Sequence, residues 1–415
     1  MSIRAPNSEI PLDWRILFTE WADFLIRWVH VIAGVCWIGS SFYFVHLDLS
    51  LRKRDGLPQG VGGEAWQVHG GGFYNMMKYT VAPSHLPQDL TWFKWEAYWT
   101  FISGFSLLCW HYFAHADLYL IDKTVMDLAP WQAVSISLVV LVMGWVIYDF
   151  LCRSKLGDND LALGVVGFLF LVAIAFGLTR VFSGRGAFIL LGALIGTIMV
   201  ANVAMNIMPN QKKTIAALIA GEPPNPAYGK TAKSRSLHNN YLTLPVIFLM
   251  VSNHYPLAFG SQWNWLIVTL VMVIGGVVRH FFNSEHAGKG SPWWTWAVAA
   301  ACFIGVILLS GASREGGNAA LTPAPAPKVK FAQVEEIVTS RCSMCHMSEP
   351  VWDGVNVPPK GVMLDTPERI RLHAEQIYVQ AVMTRAMPPG GNLTDLSEDD
   401  RRVLAAWVRG GAQVD

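Results

Sequence analysis

The sequence predicts an all-α protein in which a polytopic membrane bundle of eight transmembrane helices precedes a small helical domain. The composition supports this class. Of the 415 residues, 53% are hydrophobic and only 15% are charged, which is too little charge for a soluble or disordered protein of this length. The 31 basic and 30 acidic residues nearly cancel, so nothing in the composition suggests a nucleic-acid partner. Membrane lipid is the expected surrounding of most of the chain.

Eight apolar stretches are the candidates for the transmembrane helices. The hydrocarbon core of a bilayer, about 30 Å thick, is crossed by roughly 20 residues of helix. The sixth stretch is the shortest, and Pro245 is expected to bend it. The eight stretches cover residues 24–45, 97–113, 131–151, 161–179, 187–208, 241–255, 265–282 and 293–310.

The composition changes after residue 311, and this divides the chain into three predicted parts. Residues 1–311 form the eight-helix membrane domain. Residues 312–330 include alternating Ala and Pro, which favour an extended, polyproline-like linker. Residues 331–415 contain helix signals but no spanning stretch. They therefore predict one small domain whose core is supplemented by a cofactor.

A Cys-x-x-Cys-His motif at Cys342, Cys345 and His346 indicates the chemistry of the C-terminal domain. In this motif the two thiols bind a haem covalently and the adjacent His becomes an iron ligand. Met387, which precedes Pro-Pro-Gly-Gly, is the expected second iron ligand. A zinc site is the alternative, but this domain has no second Cys pair. The motif predicts a class I cytochrome c domain with covalent haem c, whose last helix is capped by Ser397.

The same motif predicts the orientation of the bundle. Haem c is attached outside the cytoplasm, so the C-terminus is expected in the periplasm, and eight helices place the N-terminus there too. The loops after the first, third, fifth and seventh stretches contain 13 Lys and Arg, against 5 on the other side before the linker. Because cytoplasmic loops are enriched in Lys and Arg, both arguments predict a multi-pass inner-membrane protein with periplasmic termini.

Ionisable residues within the apolar stretches are candidate functional groups, because a charge at mid-bilayer costs about 2.5 to 3.5 kcal/mol on insertion scales. Arg27 and His30 share one face of the first helix near the periplasmic side, whereas Arg279 and His280 lie near the cytoplasmic side. Paired His residues on neighbouring helices could hold a b-type haem. Alternatively, Arg and His could bind and deprotonate an anionic heterocycle. The sequence leaves both interpretations open.

Three segments, together with the C-terminal haem motif, carry a resemblance to a known family. They are WVHVIAGVCWIG at residues 28–39, HGGGFY at 69–74 and WFKWEAY at 92–98. The chain resembles the bacterial membrane-bound urate oxidase (urate hydroxylase) family along essentially its whole length. The resemblance implies oxidation of urate to 5-hydroxyisourate in purine degradation. It also implies that electrons pass to the fused cytochrome c and on to the respiratory chain, through a terminal oxidase or a soluble cytochrome.

The chemistry of urate indicates what such a site needs. A planar anion requires a cation, a base that accepts an N–H proton, and a positioned water that adds to the oxidised ring. Arg27 with His30, or Arg279 with His280, would supply the cation and the base. Two other functions stay open: a quinol-oxidising electron-transfer subunit of a respiratory complex without purine chemistry, and a membrane anchor that tethers a cytochrome.

Overall fold

The computed structural model describes residues 14–83, 86–87, 89–311, 329–353 and 355–414. Within these ranges the chain is mostly helical. The predicted linker at 312–330 falls almost wholly outside them, so its conformation stays a prediction.

The membrane half, residues 14–311, consists of long helices joined by turns. The longest helix contains no Pro, and the sixth predicted stretch has Pro245 inside a continuous helix. In chain order the helices are α1 (Trp14–Ser50), α2 (Trp95–Leu107), α3 (Ala116–Tyr119), α4 (Pro130–Arg153), α5 (Asp160–Leu178), α6 (Gly184–Ala201), α7 (Met208–Ile219), α8 (Pro226–Ser252), α9 (Pro256–Phe259), α10 (Asn264–His286) and α11 (Trp294–Gly311).

Six helical segments in the described part of the chain are long and apolar enough to cross a membrane: α1, α4, α5, α6 continuing into α7, α10 and α11. The predicted stretch at 97–113 lies on α2 and the π-helical turn that follows it. The predicted stretch at 241–255 begins in the second half of α8, whose first half is polar. The count of eight spans therefore stays a prediction for these two segments.

Two π-helical turns interrupt the regular helices in the described part of the membrane half. One, Leu108–Phe113, continues α2, and the other, Asn202–Ile207, joins α6 to α7. A π-helical turn inserts an extra residue into the helical ladder, and such turns are frequent at functional sites. Both turns carry polar groups into the bundle, His111 in the first and Asn202 with Asn206 in the second.

A β-hairpin in the first predicted cytoplasmic loop departs from the all-α prediction. Strands β1 (Val61–His69) and β2 (Gly72–Tyr79) pair antiparallel, with His69 opposite Gly72. The HGGGFY segment forms the turn, where Gly70 and Gly71 have φ of 61° and 78°. A two-residue turn with positive φ at both positions matches the twist of the paired strands. The all-α prediction was wrong for this segment. It overlooked Gly-Gly between two strand-forming runs, which is a hairpin signal.

The centre of the bundle is α6. Its side chains are buried on nearly every face, and Phe188, Leu194 and Ile195 are almost fully inaccessible. A helix that is apolar all round is stable when other elements surround it. Helices α4, α5 and α8 pack around it.

The C-terminal residues form a second, separate hydrophobic core. Phe331, Ile370, Leu404 and Trp407 are among its buried members. Ser397 Oγ accepts the Asp400 N–H at 3.1 Å, so the predicted cap of the last helix is confirmed. The helices are α12 (Phe331–Arg341), α13 (Pro367–Leu372), α14 (Ala374–Ile377), α15 (Pro389–Asn392) and α16 (Glu398–Arg409), with a π-helical turn at Tyr378–Met383.

The bundle has two distinct ends. At the hairpin end, Arg52 Nη2 donates to the His286 carbonyl at the end of α10, at 3.3 Å. At the opposite end, which we call the docking end, α3 and α9 contact the C-terminal domain. Segments 114–129 and 253–263 belong to the docking end.

Candidate functional site

Arg27 lies near the docking end in a cluster with Asp23 and His111. Arg27 Nε donates to Asp23 Oδ2 at 2.9 Å, and Arg27 Nη2 lies 2.7 Å from His111 Nε2. His111 Nε2 also contacts Asp23 Oδ1. The Arg27 side chain is 48% exposed. This cation therefore has a carboxylate partner on its own helix, one turn away.

His30 lies one turn further along α1 and packs against α2. Its Nδ1 is 3.1 Å from both the Thr100 carbonyl and Ser103 Oγ. A Cβ built at Gly104 would lie 2.8 Å from His30 Cε1, so this glycine makes room for the ring. When Nδ1–H donates to the Thr100 carbonyl, Nε2 is left free to accept a proton or bind a metal.

Arg279 is buried between α1, α8 and α10, with a relative exposure of 6%. Its Nε donates to Asn240 Oδ1 at 3.1 Å, and its Nη2 donates to Asn283 Oδ1 at 3.0 Å. The guanidinium carbon lies 4.0 Å from the centre of the Phe42 ring. Among the residues that the structure describes, no carboxylate forms an ion pair with Arg279. The Asn240 Nδ2 group is buried without a hydrogen-bond partner.

His280 points away from Arg279. Its side chain is exposed, and its Nδ1 lies 3.2 Å from the Tyr241 hydroxyl. Neighbouring residues on a helix project about 100° apart, so the pairing of Arg279 with His280 expected from the sequence is not what the structure brings together. The histidine on the Arg279 face is His286, seven residues and two turns further along α10.

A cavity of about 250 Å³ opens at the hairpin end next to this face. Its wall includes His46, Arg52, Arg54 and Glu64. The rings of His46 and His286 are 4.3 Å apart, and His286 Nδ1 is buried without a partner. Outside the membrane-spanning helices, the Asn75 amide that donates to Glu64 lowers the pKa of this carboxyl. The cavity wall thus combines two cations, one carboxylate and His46, whose ring contacts His286.

A second buried polar network, which the sequence analysis did not assemble, surrounds the π-helical turn after α6. Arg235 Nη2 donates to Asp149 Oδ1 at 2.7 Å, and Arg235 Nη1 donates to Asn202 Oδ1 at 3.1 Å. The Tyr148 hydroxyl lies 2.8 Å from His238 Nδ1 and accepts from Asn202 Nδ2 at 2.9 Å. Here the buried guanidinium has a carboxylate partner.

The start of α8 is the signal that would have revealed this network. Asn225 caps α8 and Pro226 occupies its first turn, which is a recognised helix start. The predicted stretch begins only at residue 241, which leaves Arg235 and His238 in the preceding loop. A helix that begins at Pro226 carries both residues into the bundle.

The C-terminal domain places the motif residues in a partly buried site. His346 Nδ1 lies 2.9 Å from the Val362 carbonyl, to which Nδ1–H donates, and this leaves Nε2 free as an iron ligand. Burial lowers the pKa of His346, which favours the neutral imidazole that binds metals. Burial also raises the pKa of Cys342 to about 12 and raises that of Cys345.

The surroundings of Met387 suit a haem, whose propionate side chains are acidic. Arg401 is buried, and its Nη1 donates to the carbonyls of Ala381 and Met387. Its Nε has no hydrogen-bond partner, and the Glu398 carboxylate is 4.0 Å away. A haem propionate would satisfy a buried unpaired N–H of this kind. In the described ranges, no group of three or more His, Cys, Asp or Glu is placed to hold a metal ion.

Comparison with known proteins identifies one family. A family model described as urate oxidase N-terminal matches residues 16–310 of the chain. No curated protein and no solved structure matches the chain. The match covers the whole of the described bundle from α1 to α11, including the hairpin and the Arg279 site, and ends before the C-terminal domain.

Proposed function

Since the chain belongs to the urate oxidase N-terminal family, we propose that it is a membrane-bound urate oxidoreductase with its own electron acceptor. The family indicates an oxidoreductase acting on urate. We further propose that the product is 5-hydroxyisourate, that the C-terminal domain is a cytochrome c that accepts the electrons, and that a terminal oxidase or soluble cytochrome reoxidises it.

The observation that carries this proposal is the buried guanidinium of Arg279 without a counter-ion. An isolated charge in a low-dielectric interior is costly unless an opposite charge or hydrogen bonds compensate it. Arg279 has two amide oxygens and the Phe42 ring, and no carboxylate within the described residues. An anionic ligand would supply the missing negative charge. By contrast, Arg27 and Arg235 already have carboxylate partners.

The groups around Arg279 suit the shape and polarity of urate. The planar guanidinium can donate two parallel hydrogen bonds to one edge of a planar anion. The unpaired Asn240 Nδ2 can donate to a ring carbonyl, and Phe42 offers an aromatic surface on the other side of the cation. The cavity at the hairpin end is lined by His46, whose ring lies 4.3 Å from that of His286, and its volume of about 250 Å³ is slightly smaller than sites for drug-sized ligands.

The reaction releases two protons and two electrons: urate and water give 5-hydroxyisourate, 2 H⁺ and 2 e⁻. His286, whose Nδ1 has no partner, is positioned on the Arg279 face of α10 to accept an N–H proton. His46 beside it can orient the water that adds to the ring. Arg279 stabilises the anionic form throughout. Arg27 and His30 lie near the other end of the bundle and are assigned no contact with urate.

Cys342, Cys345, His346 and Met387 would hold the covalent haem c of the C-terminal domain, with His346 and Met387 as iron ligands. Such a haem supplies a one-electron acceptor of high reduction potential. Because Arg279 lies towards the hairpin end, an intermediate carrier between the site and the C-terminal domain would assist, and a b-type haem in the bundle is the candidate. A pyridine spectrum of the purified protein tests this, because bands of c-type haem alone exclude a b-type haem.

The proposed topology has eight transmembrane helices, periplasmic termini and a location in the bacterial inner membrane. The C-terminal domain contacts the docking end, whose loops are poor in Lys and Arg. The opposite, hairpin end contains the loops rich in these residues, which corresponds to a cytoplasmic side. Urate would then enter from the cytoplasm, past His46.

Anaerobic addition of urate to the oxidised protein tests the function. Reduction of the haem by urate supports the proposal. Reduction by quinol alone indicates instead an electron-transfer subunit without purine chemistry, and reduction by neither indicates a tethered cytochrome.

A further inference from the structure

The C-terminal domain meets the bundle through the segment that follows its π-helical turn. Residues 384–391, which we call the docking edge, include Met387, and all of them except Met387 line a narrow gap against α3, α6 and α9. The gap has a volume of about 80 Å³, room for only a few waters. The two halves of the chain are therefore in close contact beside the expected iron ligand.

Glycines on both sides allow this close approach. A Cβ at Gly391 would lie 2.5 Å from Asp122 Oδ1, and one at Gly390 would lie 2.6 Å from the Asp117 carbonyl. On the bundle side, a Cβ at Gly260 would lie 2.6 Å from Thr384 Cβ and 2.7 Å from its carbonyl oxygen. Gly260 has a φ of −80°, which any residue adopts. At this position the space, rather than the backbone conformation, requires glycine.

Aromatic side chains lead from the bundle to the docking edge. Tyr119 lines the gap, and its ring centre is 5.8 Å from that of Tyr112 on the π-helical turn after α2. The Arg185 guanidinium lies over the rings of both Tyr119 and Phe259, at 5.8 and 5.3 Å. These contacts hold Tyr119 at the boundary between the two halves.

Lys360 of the C-terminal domain carries a charge of the same sign as Arg185 of the bundle. Burial, and then the charge of Arg185, lower the pKa of Lys360. A lysine of the C-terminal domain is thus partly removed from water beside a cation of the bundle. Like charges oppose this approach, so the contact rests on the fit of the docking edge and not on charge attraction.

We infer that the docking edge is the surface through which the C-terminal domain receives electrons from the bundle, with Tyr119 as the bundle residue at the crossing. This inference rests on the proposed function. Each urate oxidised sends two electrons, one at a time, across the contact at Gly260 and Thr384. Tyr119 acts as a positioning residue that keeps an aromatic ring against the docking edge.

The test compares full-length wild-type protein with Gly260→Val in detergent. Gly177→Val is the matched control, because a Cβ at Gly177 meets no atom within 4 Å. The readouts are the rate of haem reduction by urate without oxygen and the amide hydrogen exchange of residues 384–392. We expect Gly260→Val to slow reduction by about tenfold or more and to speed exchange at the docking edge, with the control unchanged.

Reduction by Gly260→Val as fast as by the control, or unchanged exchange at the docking edge, overturns the inference. If Gly260→Val yields no folded protein, Tyr119→Leu and Tyr119→Phe decide. Slower reduction with Leu than with Phe supports the inference, and equal rates overturn it. If urate fails to reduce the wild-type haem, the proposed function is wrong, whereas the exchange comparison still decides whether the docking edge is a real contact.

Discussion

Replacing Arg279 by Met should abolish most urate turnover without destabilising the protein. The two side chains have similar length, so the change removes the charge and the hydrogen-bond fork but leaves much of the volume. At 6% exposure an effective dielectric constant of about 20 is appropriate. Two unit charges in contact at about 4 Å then interact by about 4 kcal/mol. This corresponds to a loss of about a thousandfold in kcat/KM.

The stability of the same variant separates a binding role from a structural one. Arg279→Met leaves no carboxylate unpaired, and Asn283 Nδ2 still donates to Asn240 Oδ1 at 2.9 Å. The thermal midpoint should therefore be unchanged or higher. Arg235→Met is the matched control, because it strips a buried partner from Asp149. It should cost about 3 kcal/mol, at the low end of the usual range, since Arg153 still pairs with Asp149.

The assay follows the loss of urate with an artificial one-electron acceptor in detergent, alongside thermal unfolding of the same preparations. Arg279→Lys adds a graded test, because it keeps the charge but loses the fork, and its kcat/KM should fall between those of wild type and Arg279→Met. A fully solvated charge pair would change kcat/KM by about fivefold. If the kcat/KM of Arg279→Met stays within that factor of the wild-type value, the assignment of Arg279 to urate binding is refuted. A fall in thermal midpoint like that of Arg235→Met would indicate a structural role.

Three further results are expected. A double variant with Cys342→Ser and Cys345→Ser should lose the haem-peroxidase stain of the intact polypeptide on a denaturing gel, and retention of the stain would exclude covalent attachment at this motif. Met387→Ala should lower the reduction potential measured by redox titration, because thioether ligation raises it; an unchanged potential would point to another ligand. Tyr148→Phe leaves His238 Nδ1 buried without its partner and should cost about 1 to 3 kcal/mol of unfolding free energy. If the unfolding free energy is unchanged within error, the pair is not buried as described.

Local patterns were sufficient for the helices and for the haem motif. Apolar stretches place most of the long helices, and the Ser397 cap marks the last one, because these signals act over a few neighbouring residues. The hairpin was missed although Gly70 and Gly71 are a local turn signal. The start of α8 was missed because apolar content was weighed above the Asn-Pro cap.

Local sequence patterns could not predict which charged groups pair in the folded chain. In the sequence Arg279 lies inside an apolar stretch and Arg235 lies shortly before one, but neither position indicates which of the two has a carboxylate partner. In the folded chain Arg235 meets Asp149, which is 86 residues away, whereas Arg279 meets amide oxygens from α8 and α10.

The sequence by itself indicated the membrane character of the chain, most of its helices and the residues that we propose to hold a haem. Each of these depends on composition or on spacing along the backbone. Only the tertiary structure decided which buried cation lacks a counter-ion, which histidine lies on its face, and which edge of the C-terminal domain meets the bundle. These depend on distances between groups that lie far apart in the chain, and packing of the helices sets those distances.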